Sequence, residues 1–142
     1  MTPVAFWDAS MLVPLCVEQA PYSEKAGELL GQYRMCVWWG TLVEVESALC
    51  RLHRSNDLSD LEWKACQAEL DRISEDWFLI EPSETVRIQA RELLRRYPLR
   101  AGDSLQLAAA LVWCEGRSHG QVFLSGDQRL AEVASLCGFT VP

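Results

Sequence analysis

Four acidic residues stand at places where alternating strands and helices would bring side chains together. Asp8 directly follows the apolar run VAFW (residues 4–7), and Asp127 follows QVFL (121–124) after Ser125 and Gly126. Glu44 lies early in the amphipathic segment after MCVW (35–38), and Asp103 opens an apolar stretch after Ala101-Gly102. Carboxylates gathered in one cleft repel each other and hold their protons to higher pH unless a cation stands between them. Hard divalent cations such as Mg2+ or Mn2+ are bound by carboxylate and water oxygens. A cation held in this way lowers the pKa of coordinated water and stabilises negative charge developing on a phosphate. Metal-assisted hydrolysis of a phosphate ester is the chemistry that these residue types suit.

Each acid also has a local explanation. Asp103 and Asp127 have the character of helix N-caps, which accept bonds from otherwise unpaired backbone N–H groups. Thr41-Leu42-Val43-Glu44 matches a capping box, and Asp8 could cap the short segment after it. The conjunction favours a shared site. Asp8 and Asp127 both follow strands, and parallel strands end at the same edge of a sheet, where ligands bind. Glu44 and Glu46 lie equally far from the apolar centre of their helix at about 100° per residue, and the first-turn position favours Glu44. Ser10 and Ser125 can orient a carboxylate or a water as supporting groups, or serve turns and caps.

The elements that must position these residues follow from hydrophobic period and punctuation. Besides VAFW, MCVW and QVFL, the run WFLI (77–80) reads as a strand and FTV (139–141) as a short last one. Helices are expected over 22–33 after Pro21 and over 41–54, with Leu42, Val45, Ala48, Leu49 and Leu52 on one face. Others run from Ser59 to near Ser74, from a Ser83 cap to Arg96 before Tyr97-Pro98, over 103–115, and over 128–137 before Gly138. A short helical segment from near Ser10 would be bent or shortened by Pro14. The 103–115 helix is apolar nearly all round, which implies burial on several sides. Strands alternating with helices predict an α/β fold, a three-layer α/β/α sandwich with a central, mostly parallel sheet. A single domain over 1–142 is expected, with no repeat, low-complexity segment or linker to divide it.

Composition fits this picture. Of the 142 residues, 49% are hydrophobic and 23% charged, the balance of a folded domain with its own core. No apolar run reaches about 18 residues, and MTPVAFWDAS lacks the basic flank of a signal peptide, so a cytoplasmic protein with no membrane segment is expected. The six cysteines (16, 36, 50, 66, 114 and 137) contain no C-x-x-C and sit mostly in apolar runs, so they read as reduced structural thiols. The net charge of −7 argues by itself against a nucleic-acid partner. Carboxylates of a metal site are part of that sum, however, and bound cations neutralise them. Arg87, Arg91 and Arg95, with Arg96 and then Arg100, fall near helical spacing, as a solvated face or as a stripe for an RNA backbone or a protein partner.

Other chemistries lack their parts. No P-loop, G-x-S-x-G or dinucleotide fingerprint occurs. His53 near a helix end and His119 in a loop, the only histidines, have the places of surface residues. A phosphatase with an aspartate nucleophile would carry Asp-x-Asp where Asp8-Ala9-Ser10 stands. A phosphoacceptor domain needs a lysine near a late strand, whereas Lys25 and Lys64 are the only lysines. Trp7, Trp38, Trp77 and Trp113 are expected in the core. Trp63 could serve a contact with a partner, and Trp39, at the expected cleft edge, is the candidate for stacking on a base.

At these residues the sequence resembles the PIN-domain family, in particular its VapC-like toxins. FWDASMLVPL looks like the family's opening strand and its aspartate, TLVEVESALCRL like the helix carrying the second acid, LRAGDSLQLAAAL like the central helix carrying the third, and VFLSGDQRLAEVA like the strand and loop carrying the fourth. Gly102 departs mildly, standing where a small residue such as alanine is common. The resemblance implies a metal-dependent endoribonuclease acting through Asp8, Glu44, Asp103 and Asp127, with Mg2+ or Mn2+ as cofactor and RNA as substrate. With water rather than the ribose 2′-hydroxyl as nucleophile, the products would carry a 5′-phosphate and a 3′-hydroxyl. It also implies a cognate antitoxin protein that occupies the cleft, and a homodimer. An RNA-processing nuclease without toxicity, and a domain that binds without cutting, are the alternatives within the same fold.

Overall fold

The computed structural model describes residues 1–19 and 21–142. Its strands are short: β1 (Val4–Trp7), β2 (Arg34–Trp38), β3 (Phe78–Ile80) and β4 (Phe123–Leu124). They form one sheet in the order β3-β2-β1-β4, and every pairing is parallel. Phe6 stands opposite Cys36 on one side and Phe123 on the other, so β1 lies between β2 and β4. The expected last strand is a single parallel bridge, Val122 to Thr140. From β1 the chain builds outward through β2 to β3, then returns to place β4 on the opposite side of β1. This reversal opens a crevice beyond the carboxyl ends of β1 and β4, the place where such sheets bind ligands.

The alternation of side chains along the strands divides the core into two layers. Ala5, Trp7, Met35, Val37 and Leu124 pack against α1 (Ala9–Cys16), α2 (Tyr22–Gln32), α3 (Thr41–Arg54) and α4 (Asp60–Ser74). Phe6, Cys36, Trp38 and Phe123 pack against α5 (Glu84–Arg96), α6 (Ala101–Trp113) and α7 (Gln128–Leu136). The three-layer α/β/α sandwich is therefore the observed architecture. α6 is buried along most of its length, with Leu107, Ala108, Ala109 and Ala110 fully enclosed, as its all-round apolar sequence requires.

Several local expectations change. The capping box at Thr41 and Glu44 does not form: Gly40 is the N-cap residue, with no side-chain cap bond, and Thr41 is the first residue of α3. The Thr41 hydroxyl is instead engaged by Gln106 of α6. A capping box does form at the start of α4, between Ser59 and Glu62, and Ser83 caps α5 as expected. α6 begins at Ala101 rather than Asp103, because Arg100 holds an extended backbone and hands the chain into the helix. Asp103 is thus in the first turn and not the cap. The same helix stops at Trp113, and Glu115 and Gly116 reverse the chain with φ of 54° and 76°. Pro14 sits inside α1, which ends two residues later.

All six cysteines are free, and burial pushes the Cys16 and Cys36 thiols up to about 12, so neither is a nucleophile. Trp7 and Trp38 are buried, and Trp77 and Trp113 half-buried. Trp63 stacks on His53 at 4.7 Å and packs against the first core layer. No helix among the described residues is long and apolar enough to cross a membrane.

Because α6 carries one acid and fully buries Leu107 to Ala110, its packing supports the crevice. Leu107→Ala should cost about 2–5 kcal/mol, whereas Leu136→Ala, on an exposed side chain, should change stability by less than about 0.5 kcal/mol. Urea denaturation of both variants checks the contrast.

Candidate active site

Asp8 leaves β1 in extended conformation, caps α1 through the Ser10 N–H, and is only 3% exposed. Two hydroxyls donate to the same oxygen, Oδ2: Ser10 Oγ at 2.5 Å and Ser125 Oγ at 2.9 Å. The Gly126 N–H donates to Ser10 Oγ (2.9 Å) and the Asp127 N–H to Ser125 Oγ (3.0 Å). Each hydroxyl thus accepts one backbone N–H while standing within donor distance of Asp8. Oδ1 takes no hydrogen bond among the described residues. The loop after β4 therefore fixes the carboxylate that follows β1, and the local cap and the site are one arrangement.

Glu44 is held from the other helical layer. Gln106, fully buried on α6, donates through Nε2 to Glu44 Oε2 and to Thr41 Oγ1, each at 3.0 Å. Gly102 lies so near that a Cβ there would stand 3.4 Å from Glu44 Oε1. Glu46, on the same helix, does not reach the cavity that Glu44 lines. Asp127 caps α7 by accepting from the Leu130 N–H through Oδ1 (3.0 Å), which leaves Oδ2 for the cleft. There Arg100 lies between two acids, with Nε 3.5 Å from Asp103 Oδ2 and Nη2 3.6 Å from Asp127 Oδ2.

These four carboxylates line one open cavity of about 610 Å³. They sense one another. Burial raises the Asp8 carboxyl above the ordinary aspartate value, against the pull of the Ser10 and Ser125 hydroxyls, and the Asp103 charge adds to the rise. Burial also raises Glu44; the Gln106 N–H opposes this, and Asp8 and Asp103 add repulsion. Asp103 is raised by burial and then by Asp127, with Arg100 pulling the other way. A cluster of this kind has an unmet demand for positive charge.

The donor set fits a hard divalent cation. Asp8, Glu44 and Asp127 are each anchored through one oxygen, and among the described residues each keeps another oxygen free of any backbone or neutral hydrogen-bond donor. Among the described residues no three acidic, histidine or cysteine side chains stand close enough to enclose an ion by themselves. Mg2+ does not need such a cage, since it keeps several waters and is commonly bound through one or two carboxylates plus substrate phosphate. Arg100 supplies positive charge between Asp103 and Asp127, where a cation would relieve the same repulsion.

The other residues singled out by sequence fall elsewhere. Arg87, Arg91 and Arg95 are exposed on α5, and Arg87 pairs with Glu84; none of them lines the carboxylate cavity. Trp39 is 53% exposed just past β2 and does not line that cavity either. Arg51 and Arg100 line it instead. Arg51 was legible in principle, seven residues after Glu44 and thus on nearly the same helical face. Gln106 was legible too, as the lone amide in the apolar stretch that follows Asp103.

The family model described as the PIN domain matches residues 5–136, and the chain belongs to this family. Solved structures share its fold. A chain of a toxin–antitoxin complex from Klebsiella pneumoniae superposes with a TM-score of 0.62 at 15% identity, covering 91% of this chain and 92% of that one. VapBC2 from Rickettsia felis, bound to a DNA fragment from their promoter, gives 0.65 at 11% identity, over 98% and 97%. A protein of Pyrobaculum aerophilum gives 0.65 at 20% identity, over 99% and 90%. At these identities the likeness is one of fold. A search of curated proteins finds no match.

The repulsion among the acids is measurable as stability. An acid whose folded-state pKa is raised supports folding only while protonated. That support is complete below the unfolded value, near about pH 4, and is lost as pH rises through the folded value. Without divalent cation, Asp103→Asn should raise the melting temperature at about pH 7 and leave it little changed near about pH 4. A fall at neutral pH would contradict the raised pKa.

Proposed function

We propose that this PIN-domain protein is a Mg2+- or Mn2+-dependent endoribonuclease, the toxin of a toxin–antitoxin pair, which hydrolyses RNA phosphodiester bonds at Asp8, Glu44, Asp103 and Asp127. One observation carries the reading: four carboxylates line a single crevice at the point where the strand order reverses, each raised or held by its neighbours. A divalent cation bound there would lower the pKa of water and stabilise charge on the phosphate.

The chain's own residues supply the rest. Ser10 and Ser125 keep Asp8 oriented, and favour its charged form against burial, by donating to one of its oxygens. Gln106 keeps Glu44 turned toward α6 and the crevice. Arg100, drawn to Asp103 and Asp127 in the free protein, is placed to meet a phosphate once those acids have another counter-charge. The similar folds found in toxin–antitoxin complexes support an antitoxin as partner, and a second copy of this chain is the other partner the reading includes.

Asp8→Asn or Asp103→Asn should lower Mg2+-dependent cleavage of single-stranded RNA by more than about a hundredfold while the circular dichroism spectrum stays unchanged. Retained cleavage in either variant would reject the assignment. Ser125→Ala, which removes one orienting hydroxyl, should cost about 10–100-fold, read from the same cleavage assay. Expression should arrest growth, with relief by co-expression of the cognate antitoxin; growth without arrest would favour an RNA-processing role.

A further inference from the structure

A second cavity adjoins the carboxylate crevice. It encloses about 320 Å³, and Ser10 and Gln19 line both spaces. Its lining includes the apolar Met11 and Pro14 of α1 and the Ser125-Gly126 turn after β4. On α2, Tyr22 and Lys25 complete it. The volume is at the lower end for a small-ligand pocket, about 300 Å³, a size suited to one planar group.

The chemistry of the walls is specific. Tyr22 is 59% exposed, an aromatic face in the first turn of α2 with no stacking partner among the described residues. Lys25 is exposed and pairs with no acidic side chain among the described residues; its ammonium lies 3.4 Å from the main-chain oxygen of Pro142. An aromatic face, an apolar floor and an ammonium with no acidic side-chain partner among the described residues, beside the proposed phosphate-hydrolysing centre, match the parts of one nucleotide: a base to stack and a phosphate to neutralise. Ser10, whose hydroxyl orients Asp8, lines both spaces. A nucleotide in the smaller space would be separated from the carboxylates by little more than that residue. On the α3 side of the crevice, Arg51 is a further cation in no salt bridge among the described residues.

We propose that the cavity bounded by Tyr22 and Lys25 is the subsite for a nucleotide next to the cleaved phosphodiester, with Tyr22 stacking on its base and Lys25 meeting its phosphate. This rests on the nuclease reading and adds the residues that select a single, unstacked strand. A base that remained in a duplex would not present its face to Tyr22, so the substrate class is single-stranded RNA or a loop. The stripe of arginines on α5 has no part in this path.

The test uses the full chain carrying Asp103→Asn, so that the strand survives, and a short fluorescein-labelled single-stranded oligoribonucleotide whose binding is read by anisotropy. Tyr22→Ala should weaken binding about tenfold, Tyr22→Phe should retain it, and Lys25→Gln should weaken it and reduce its salt dependence. Both side chains are exposed, so melting temperatures should not move. A scan with abasic positions adds a readout that a structural role would not give. One position should cost the Tyr22-containing protein about tenfold and the Tyr22→Ala protein nothing further. Undiminished binding by Tyr22→Ala and Lys25→Gln, or equal abasic penalties in both proteins, would overturn the subsite while leaving the nuclease reading intact. Failure of the parent protein to bind any single-stranded RNA would overturn that reading, and the subsite with it.

Discussion

The structure depends on holding like charges together. Four carboxylates meet in a partly desolvated crevice, where burial and neighbouring acids raise the carboxyls of Asp8, Glu44 and Asp103 above their ordinary values. No packing preference would collect them there. Burial and mutual repulsion both work against such a cluster, so the surrounding fold must supply the restraint. It does so with neutral donors and one cation: two serine hydroxyls on Asp8, the Gln106 amide on Glu44, the α7 backbone on Asp127, and Arg100 between Asp103 and Asp127.

The scaffold is economical in how it reaches this arrangement. Two acids come from loops after β1 and β4, which are neighbours in the sheet, so the backbone itself brings them side by side. The other two come from the first turns of α3 and α6, which lie on opposite faces of that sheet. Gln106 ties the layers across the sheet edge, engaging Thr41 and Glu44 at once. A buried, fully engaged polar network of this kind fixes relative position more sharply than apolar packing does.

Much of this was legible in the sequence. The apolar runs and their helical partners indicated a parallel sheet, and the acids after VAFW and QVFL pointed to one edge of it. Asp103 and Glu44 were identified as candidates, but their local roles differ from the cap chemistry their neighbours suggested. Thr41 turned out to face Gln106 across the layers, a partner 65 residues away that no window of local pattern contains. Arg100 takes an extended backbone that lets α6 start earlier. Spacing alone leaves the arginines on α5 open between a solvated face and a binding stripe, because it does not tell which side of the molecule a helix presents; in the structure they lie outside the carboxylate cavity. The cavity beside Tyr22 depends on α1, α2 and the β4 turn meeting, so it has no sequence signature.

Direct binding of a divalent cation tests the central claim most closely. Mn2+ titrated into the protein can be followed by calorimetry and by loss of the free-ion paramagnetic resonance signal. The account predicts saturable binding to the parent chain that is lost, or weakened by orders of magnitude, in Asp8→Asn, and release of protons from the acids as the ion enters. Equal binding by parent and variant, or none by either, would contradict it.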